Sequence, residues 1–183
     1  MKLLFASDLH GSLSATEQVL QRFDQHQADW LILLGDLMYH GPRNPLPDNY
    51  APAQVAERLN AYKDRIIAVR GNCESEVDQM LLQFPVLADY QQILLPERRF
   101  FLTHGHKYNR STLPPLAGGD VLAYGHTHIP LAEQQDANWI FNPGSASLPK
   151  GGFPASYGLY ADHTLQVLEL ETQASLLSVT LGD

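Results

Sequence analysis

Short apolar runs alternate with helix-period patterns through the first half of the chain. Residues 3–6, 30–34 and 66–69 are continuous apolar runs of strand length. Between them, Thr16, Val19, Leu20 and Phe23 share one helical face, as do Val55, Ala56, Leu59 and Tyr62. Ser14 with Glu17 has the spacing of a capping box for the first helix. Pro52 stands near the start of the second, where proline is tolerated. A third helix, after 66–69, is expected to bury Val77, Met80, Leu81 and Phe84. This β-α-β-α-β-α order predicts parallel pairing through crossover helices.

The second half changes character. Residues 100–103 and 121–124 read as further buried strands. From Trp139 onward strand patterns dominate, at 157–160, at Leu165, Val167, Leu168 and Leu170, and at 176–181. Turns at Asp162-His163 and Thr172-Gln173 predict antiparallel hairpins. Together the halves predict an α/β fold, a four-layer α-β-β-α sandwich of two mixed sheets flanked by helices, in a single domain over 1–183. Segment 39–52 holds Pro42, Pro45, Pro47 and Pro52 and shows no period. A loop of that length is either the lid or rim of a site or a rigid surface excursion.

Composition narrows the function classes. The chain carries 12 Lys+Arg against 20 Asp+Glu, a formal charge of −8. That balance argues against general nucleic-acid binding, which takes a clustered basic surface. Hydrophobic residues make up 44% of the 183 residues, enough for a core without covalent staples. Cys73 is the lone cysteine, so no intramolecular disulfide forms and a reducing compartment is the default. No run approaches the ~20 apolar residues of a membrane span. Asp8 and His10 follow the N-terminus too soon for a signal-peptide core. A cytoplasmic protein without a membrane partner is expected.

The chemistry gathers at strand ends. Asp8 and His10 follow the first strand, Asp36 the second and Asn72 the third; His104 ends 100–103, and His126 and His128 end 121–124. In open α/β sheets the crevice beyond the carboxyl ends of the strands is where ligands bind. Carboxylates and imidazoles without thiolate suit divalent ions such as Mn²⁺, Fe²⁺ or Zn²⁺. Seven donors exceed the need of one such ion, whereas two ions sharing a carboxylate would use them all. Paired ions can hold a bridging hydroxide and clamp the oxygens of an in-line displacement at phosphorus.

The blocks Asp8-Leu9-His10, Gly35-Asp36, Gly71-Asn72-Cys73-Glu74, His104-Gly105-His106 and Gly125-His126-Thr127-His128 resemble the signature of the calcineurin-like metallophosphoesterases. Asn142-Pro143-Gly144-Ser145 also fits. The small size, the His40-Gly41-Pro42-Arg43-Asn44 segment and the Pro149-Lys150-Gly151-Gly152 run are most similar to the bacterial YfcE-type phosphodiesterases. The resemblance implies a β-sandwich flanked by helices and a dinuclear metal-dependent phosphodiesterase acting on a small phosphodiester. It implies one ion held by Asp8, His10, Asp36 and His128, and a second by Asp36, Asn72, His104 and His126. Mn²⁺ is the expected ion, with Zn²⁺, Fe²⁺ or Ni²⁺ as alternatives. His106 either orients a ligand, touches substrate or simply packs.

Two departures matter. Where many phosphatases of the family carry a His after the Asn, this chain has Cys73. The thiol is a weak acid of ordinary pKa about 8.5, so substrates with weakly basic leaving groups, aryl or activated diesters, are favoured. A nucleophilic role and a merely space-filling one are the other readings of Cys73. After Asp36 stands Leu37-Met38-Tyr39 rather than another acid or amide, so Tyr39 offers a hydroxyl or a stacking face. Arg43 and Lys150 are the candidate substrate cations, the alternative being solvated surface charges. Three further readings stay open: a phosphomonoesterase or nucleotidase with the same ions, a scaffold resembling the retromer subunit of this fold, and a dimetal hydrolase of a non-phosphate ester. A homo-oligomer through the Pro-rich loop is a further option.

Overall fold

In the computed structural model, which describes residues 1–182, the expected runs pair into two sheets. Asp183, the last residue of the expected domain, lies outside the described residues. The first half contains β1 (Leu3–Ala6), α1 (Leu13–His26), β2 (Trp30–Leu33), α2 (Pro52–Asn60), β3 (Ile66–Ala68) and α3 (Glu76–Leu81). Then follow β4 (Tyr90–Leu94), β5 (Arg99–Thr103), β6 (Val121–Ala123), β7 (Leu131–Gln135) and β8 (Asn138–Asn142). The chain closes with β9 (Ser156–Ala161), β10 (Thr164–Glu169) and β11 (Ser175–Thr180).

One sheet has the order β11-β10-β9-β1-β2-β3, the other β4-β5-β6-β8-β7. β1, β2 and β3 run parallel, and so do β5, β6 and β8. The hairpins of the C-terminal part join antiparallel to β1 through β9, so both sheets are mixed, as expected. β4 and β7 are absent from the sequence expectations. Both are edge strands with polar residues at alternate or successive positions, which hides the period that marks a buried strand.

Alternation along the strands builds three layers of packing. Leu3, Phe5, Ile32, Phe100, Leu102, Val121 and Phe141 meet between the sheets. Leu4, Ala6, Leu31 and Leu33 point the other way, under Val19, Leu20 and Phe23 of α1 and Val55 and Leu59 of α2. On the outer face of the five-stranded sheet Phe101, Leu122, Tyr124 and Ile140 pack with Tyr108 and Leu116. The 104–119 loop, rather than a helix, supplies that cover among the described residues.

Two local expectations are corrected. The N-cap of α1 is Ser12, whose Oγ accepts from the Ala15 N–H at 3.3 Å, not Ser14. Ser12 also donates to the Asp48 carbonyl at 2.8 Å, a tertiary contact that selects it. In α3, Val77, Met80 and Leu81 are exposed, and the buried residue is Asp78. Asp78 caps the helix by accepting from both the N–H and Oγ of Ser75 at 2.7 Å. The helix spans six residues, and the extended segment after it carries Leu82, Phe84 and Val86 into the core instead. Among the described residues no helix is long and apolar enough to cross a membrane.

Candidate active site

Because the inner strands of each sheet are parallel, the carboxyl ends of β1, β2, β3, β5 and β6 meet at one rim. The chain turns there through strained backbone. Asp8, His10, Asp36, His126 and His128 all have positive φ, between 47° and 66°. A left-handed residue bearing a Cβ costs roughly 1–2 kcal/mol, so the surrounding structure must hold it. Backbone bonds do so, from Asp8 N to Gly35 O at 3.1 Å, His10 N to Asp36 O at 2.9 Å, and Gly125 N to His104 O at 2.8 Å. Each turn aims its polar side chain at the same point.

The donors form two groups sharing Asp36. On one side His128 Nε2 lies 3.3 Å from Asp8 Oδ1, and His10 Nε2 lies 3.7 Å from the same oxygen and 3.8 Å from Asp36 Oδ2. On the other, His104 Nε2 lies 3.4 Å from Asp36 Oδ1 and 3.1 Å from Asn72 Oδ1, and His126 Nδ1 stands 3.2 Å from His104 Nε2. The ring Nδ1 atoms of His10, His104 and His128 sit 2.9, 2.7 and 2.6 Å from the carbonyl oxygens of Tyr39, Leu34 and Leu148. Those contacts make Nδ1 the donor to a carbonyl and turn Nε2 inward.

This arrangement fits divalent cations. Asp8 Oδ1 is buried without a hydrogen-bond partner. Inward lone pairs on His10 and His128 face it and each other, with their Nε2 atoms 3.4 Å apart. Carboxylate oxygens and imidazole nitrogens converging this closely suit positive charge between them. Burial opposes charge on His104, yet Asp36 and Asp8 draw its pKa up to about 9. Burial likewise opposes the Asp8 and Asp36 carboxylates, and the imidazoles of His128 and His104 hold them below the usual range. Asp8, His10 and His128 offer one candidate ion site; Asp8, Asp36 and His104 lie close enough for another.

Residues 1–164 match the calcineurin-like phosphoesterase superfamily domain. The chain belongs to that superfamily. It is 58% identical over 182 residues to phosphodiesterase YfcE of Escherichia coli K12, covering 100% of this chain and 99% of that protein. A solved structure of YfcE, described as a phosphoesterase from E. coli, superposes with a TM-score of 0.98 at 57% identity, covering 100% of both chains. Phosphodiesterase MJ0936 of Methanocaldococcus jannaschii is 26% identical over 161 residues, covering 84% of this chain and 89% of that one.

In this calcineurin-like phosphoesterase the structure brings all seven expected donors together and adds groups that hold them. Glu74, 4% exposed, accepts from the Leu37 N–H at 2.7 Å through Oε1, and from Asp36 N at 3.0 Å and Gly71 N through Oε2. One carboxylate thereby ties the Asp36 turn to the Asn72 turn. Burial and the nearby Asp36 push its pKa up to about 7. Gly71 is required beside it, since a Cβ there would stand 2.1 Å from Asp36 Oδ1. Ser145 and Ser147 each donate to the Asp8 carbonyl at 2.8 Å, and Asn142 donates to the Gly125 carbonyl at 2.8 Å. The Glu74 and Asn142-to-Ser145 blocks were visible in the sequence as signature neighbours, but their positioning roles follow only from these contacts.

The remaining candidates take distinct places. His106 packs against the rings of His104 and His126, with centroids 5.5 and 6.2 Å away. The Cys73 N–H donates to Asp36 Oδ1 at 3.0 Å and its thiol to Oδ2 at 3.3 Å. Burial and Asp36 push that thiol well above its ordinary range. Tyr39 serves through its main chain, holding His10, while its ring stays exposed beside His40. Gly41 to Pro45 form one wall of a cleft of about 420 Å³ that also includes Asp36, Asn72, His126 and His128. Arg43 and Lys150 line the same cleft. The Pro-rich segment is a rim, pinned at its far end where Leu13 N–H meets the Asn49 carbonyl and Ala51 N–H meets the Gly11 carbonyl.

Proposed function

We propose that this chain, acting as one metallophosphoesterase domain, is a dinuclear metal-dependent phosphodiesterase. The observation that carries the reading is the two-sided donor set around Asp36, beside the buried and unpartnered Asp8 Oδ1. Its similarity to a protein named phosphodiesterase YfcE, over nearly the full length of both, supports the same chemistry. Asp8, His10, Asp36 and His128 would hold one ion, and Asp36, Asn72, His104 and His126 the other. Two divalent ions supply a hydroxide nucleophile at neutral pH and positive charge for the phosphorus-bound oxygens of an in-line displacement. Mn²⁺ suits this oxygen- and imidazole-rich set, with Fe²⁺, Zn²⁺ and Ni²⁺ as alternatives.

The protein's own groups fix orientation. The carbonyls of Tyr39, Leu34 and Leu148 hold the imidazole tautomers, and His106 backs the rings of His104 and His126. Arg43 and Lys150 are the substrate-binding cations of the cleft walls, and the substrate is a small phosphodiester. Cys73 commits its thiol proton to Asp36, so it neither attacks phosphorus nor protonates a leaving group. Diesters with weakly basic leaving groups are therefore preferred over alkyl phosphomonoesters. We place the protein in the cytoplasm, with neither nucleic acid nor membrane as partner.

The test is metal-stripped protein assayed with and without Mn²⁺ on bis(p-nitrophenyl) phosphate and p-nitrophenyl phosphate. Metal-dependent cleavage of the diester alone is expected. Equal or faster monoester cleavage would replace the reading with a phosphatase. Bound metal with no turnover of either would leave the scaffold as the better account.

A further inference from the structure

The chain's cations are distributed unevenly. Of its 12 lysines and arginines, all but Arg43 and Lys150 reach a carboxylate, a carbonyl or a side-chain amide of the protein within 4 Å. Among the described residues these two are the cations without such a partner, and both face the same cleft. In a protein with a formal charge of −8, two uncompensated cations meeting at one cleft mark a site for anionic charge.

The backbone at both positions is tied to the site. Lys150 N–H donates to the carbonyl of His128 at 3.1 Å, so the cation's backbone is fixed to a metal-donor residue. Arg43 stands in a tight turn closed by Asn44, whose N–H meets the Gly41 carbonyl at 3.3 Å and whose amide donates to the His40 carbonyl at 2.9 Å. A Cβ on Gly41 would lie 3.3 Å from Cys73 Sγ, so this turn rests directly on the floor of the cleft. Asp36 is the one acid on the cleft lining, and it belongs to the donor set.

Charge decides what the two cations meet. Resting on the dinuclear reading above, and counting the groups that face the ions rather than Glu74, whose carboxylate is taken up by three backbone N–H groups, two divalent ions, the carboxylates of Asp8 and Asp36 and a hydroxide leave one net positive charge. A phosphodiester carries one negative charge and cancels it. Arg43 and Lys150 are then left over, and a phosphate monoester, with a charge of about −1.5 to −2 near neutral pH, matches the pair. We propose that the substrate of this site is a phosphodiester bearing a second, terminal phosphate, bound by Arg43 and Lys150 while the scissile diester occupies the donor centre.

The experiment compares thymidine 5′-(p-nitrophenyl phosphate) with the same diester phosphorylated at its 3′-oxygen. In each, the oxygen of water bonds to phosphorus as the bond to the aryl oxygen breaks, releasing p-nitrophenol and thymidine 5′-phosphate or 3′,5′-bisphosphate. The 3′-phosphorylated diester is expected to have about a tenfold higher kcat/KM, carried mainly in KM, equivalent to about 1.4 kcal/mol. The preference should shrink as salt rises, because the pairing is near the surface. Arg43→Ala with Lys150→Ala should bring the ratio of the two substrates to about one. Equal reactivity of the two diesters in the parent, or an equal loss on both in the double variant, would overturn the proposal and assign the cations to the scissile phosphate. Calorimetry on the Mn²⁺-loaded protein gives a readout independent of turnover. Thymidine 3′,5′-bisphosphate should bind about tenfold tighter than the 5′-monophosphate in the parent and lose that advantage in the double variant. If neither diester is cleaved, the phosphodiesterase reading fails while calorimetry still decides the anion site; equal binding of both nucleotides there would overturn it.

Discussion

Glu74→Ala removes a single carboxylate that accepts three backbone N–H groups, those of Leu37, Asp36 and Gly71. A buried donor stripped of its acceptor costs roughly 1–3 kcal/mol, so three could total up to about 9 kcal/mol. Two effects reduce that figure. Burial already opposes the charged Glu74 and raises its pKa to about 7, so deleting the group relieves its own desolvation. The small space left also admits local relaxation or a water. The expected loss is therefore about 3 kcal/mol. Glu74→Gln, which keeps the volume but turns one acceptor into a donor against an N–H, should lose about 1–2 kcal/mol. Urea denaturation of the metal-stripped proteins measures both. Freed from Glu74, the Asp36 turn should also bind Mn²⁺ about 10–100-fold more weakly, the usual effect of losing an outer partner of a ligand. A Glu74→Ala protein within about 0.5 kcal/mol of the parent, with unchanged Mn²⁺ affinity, would refute this account of how the site is held.

Asp36→Asn should lower bound metal and cut turnover of bis(p-nitrophenyl) phosphate by at least about 100-fold, because one carboxylate faces both donor groups; metal analysis alongside the assay checks this. Gly125→Ala would put a Cβ 1.9 Å from Ser7 Oγ and 2.9 Å from Asp8 Oδ2, and should cost about 1–3 kcal/mol in thermal or urea unfolding. Cys73→Ser should leave aryl diester turnover within about threefold of the parent, whereas a thousandfold drop would reinstate a covalent role for the thiol. Phe84→Ala should destabilise by about 3–5 kcal/mol, while Met80→Lys, on the exposed side of α3, should stay within about 0.5 kcal/mol.

The amino-acid sequence by itself determined the inner strands, the first two helices and the candidate donor residues that the fold brings to one rim. Buried strands leave unbroken apolar runs such as 30–34, and α1 leaves a clean 3.6-residue period, because one face of each meets the core. The candidate donors were legible because each stands shortly after such a run, so locating the strand end locates the candidate. What the tertiary structure alone decided is everything that depends on a partner distant in the chain. Edge strands β4 and β7 face solvent on one side and carry no apolar run to read. Ser12 caps α1 because Asp48 approaches it, and α3 exposes Met80 because the segment beyond it fills the core. The same holds at the site. Glu74 bonds across 37 residues to Leu37, Ser145 across 137 to Asp8, and the isolation of Arg43 and Lys150 is a property of what every other charge has found. Local patterns record which face of a residue is buried; only the folded chain sets which polar group it meets.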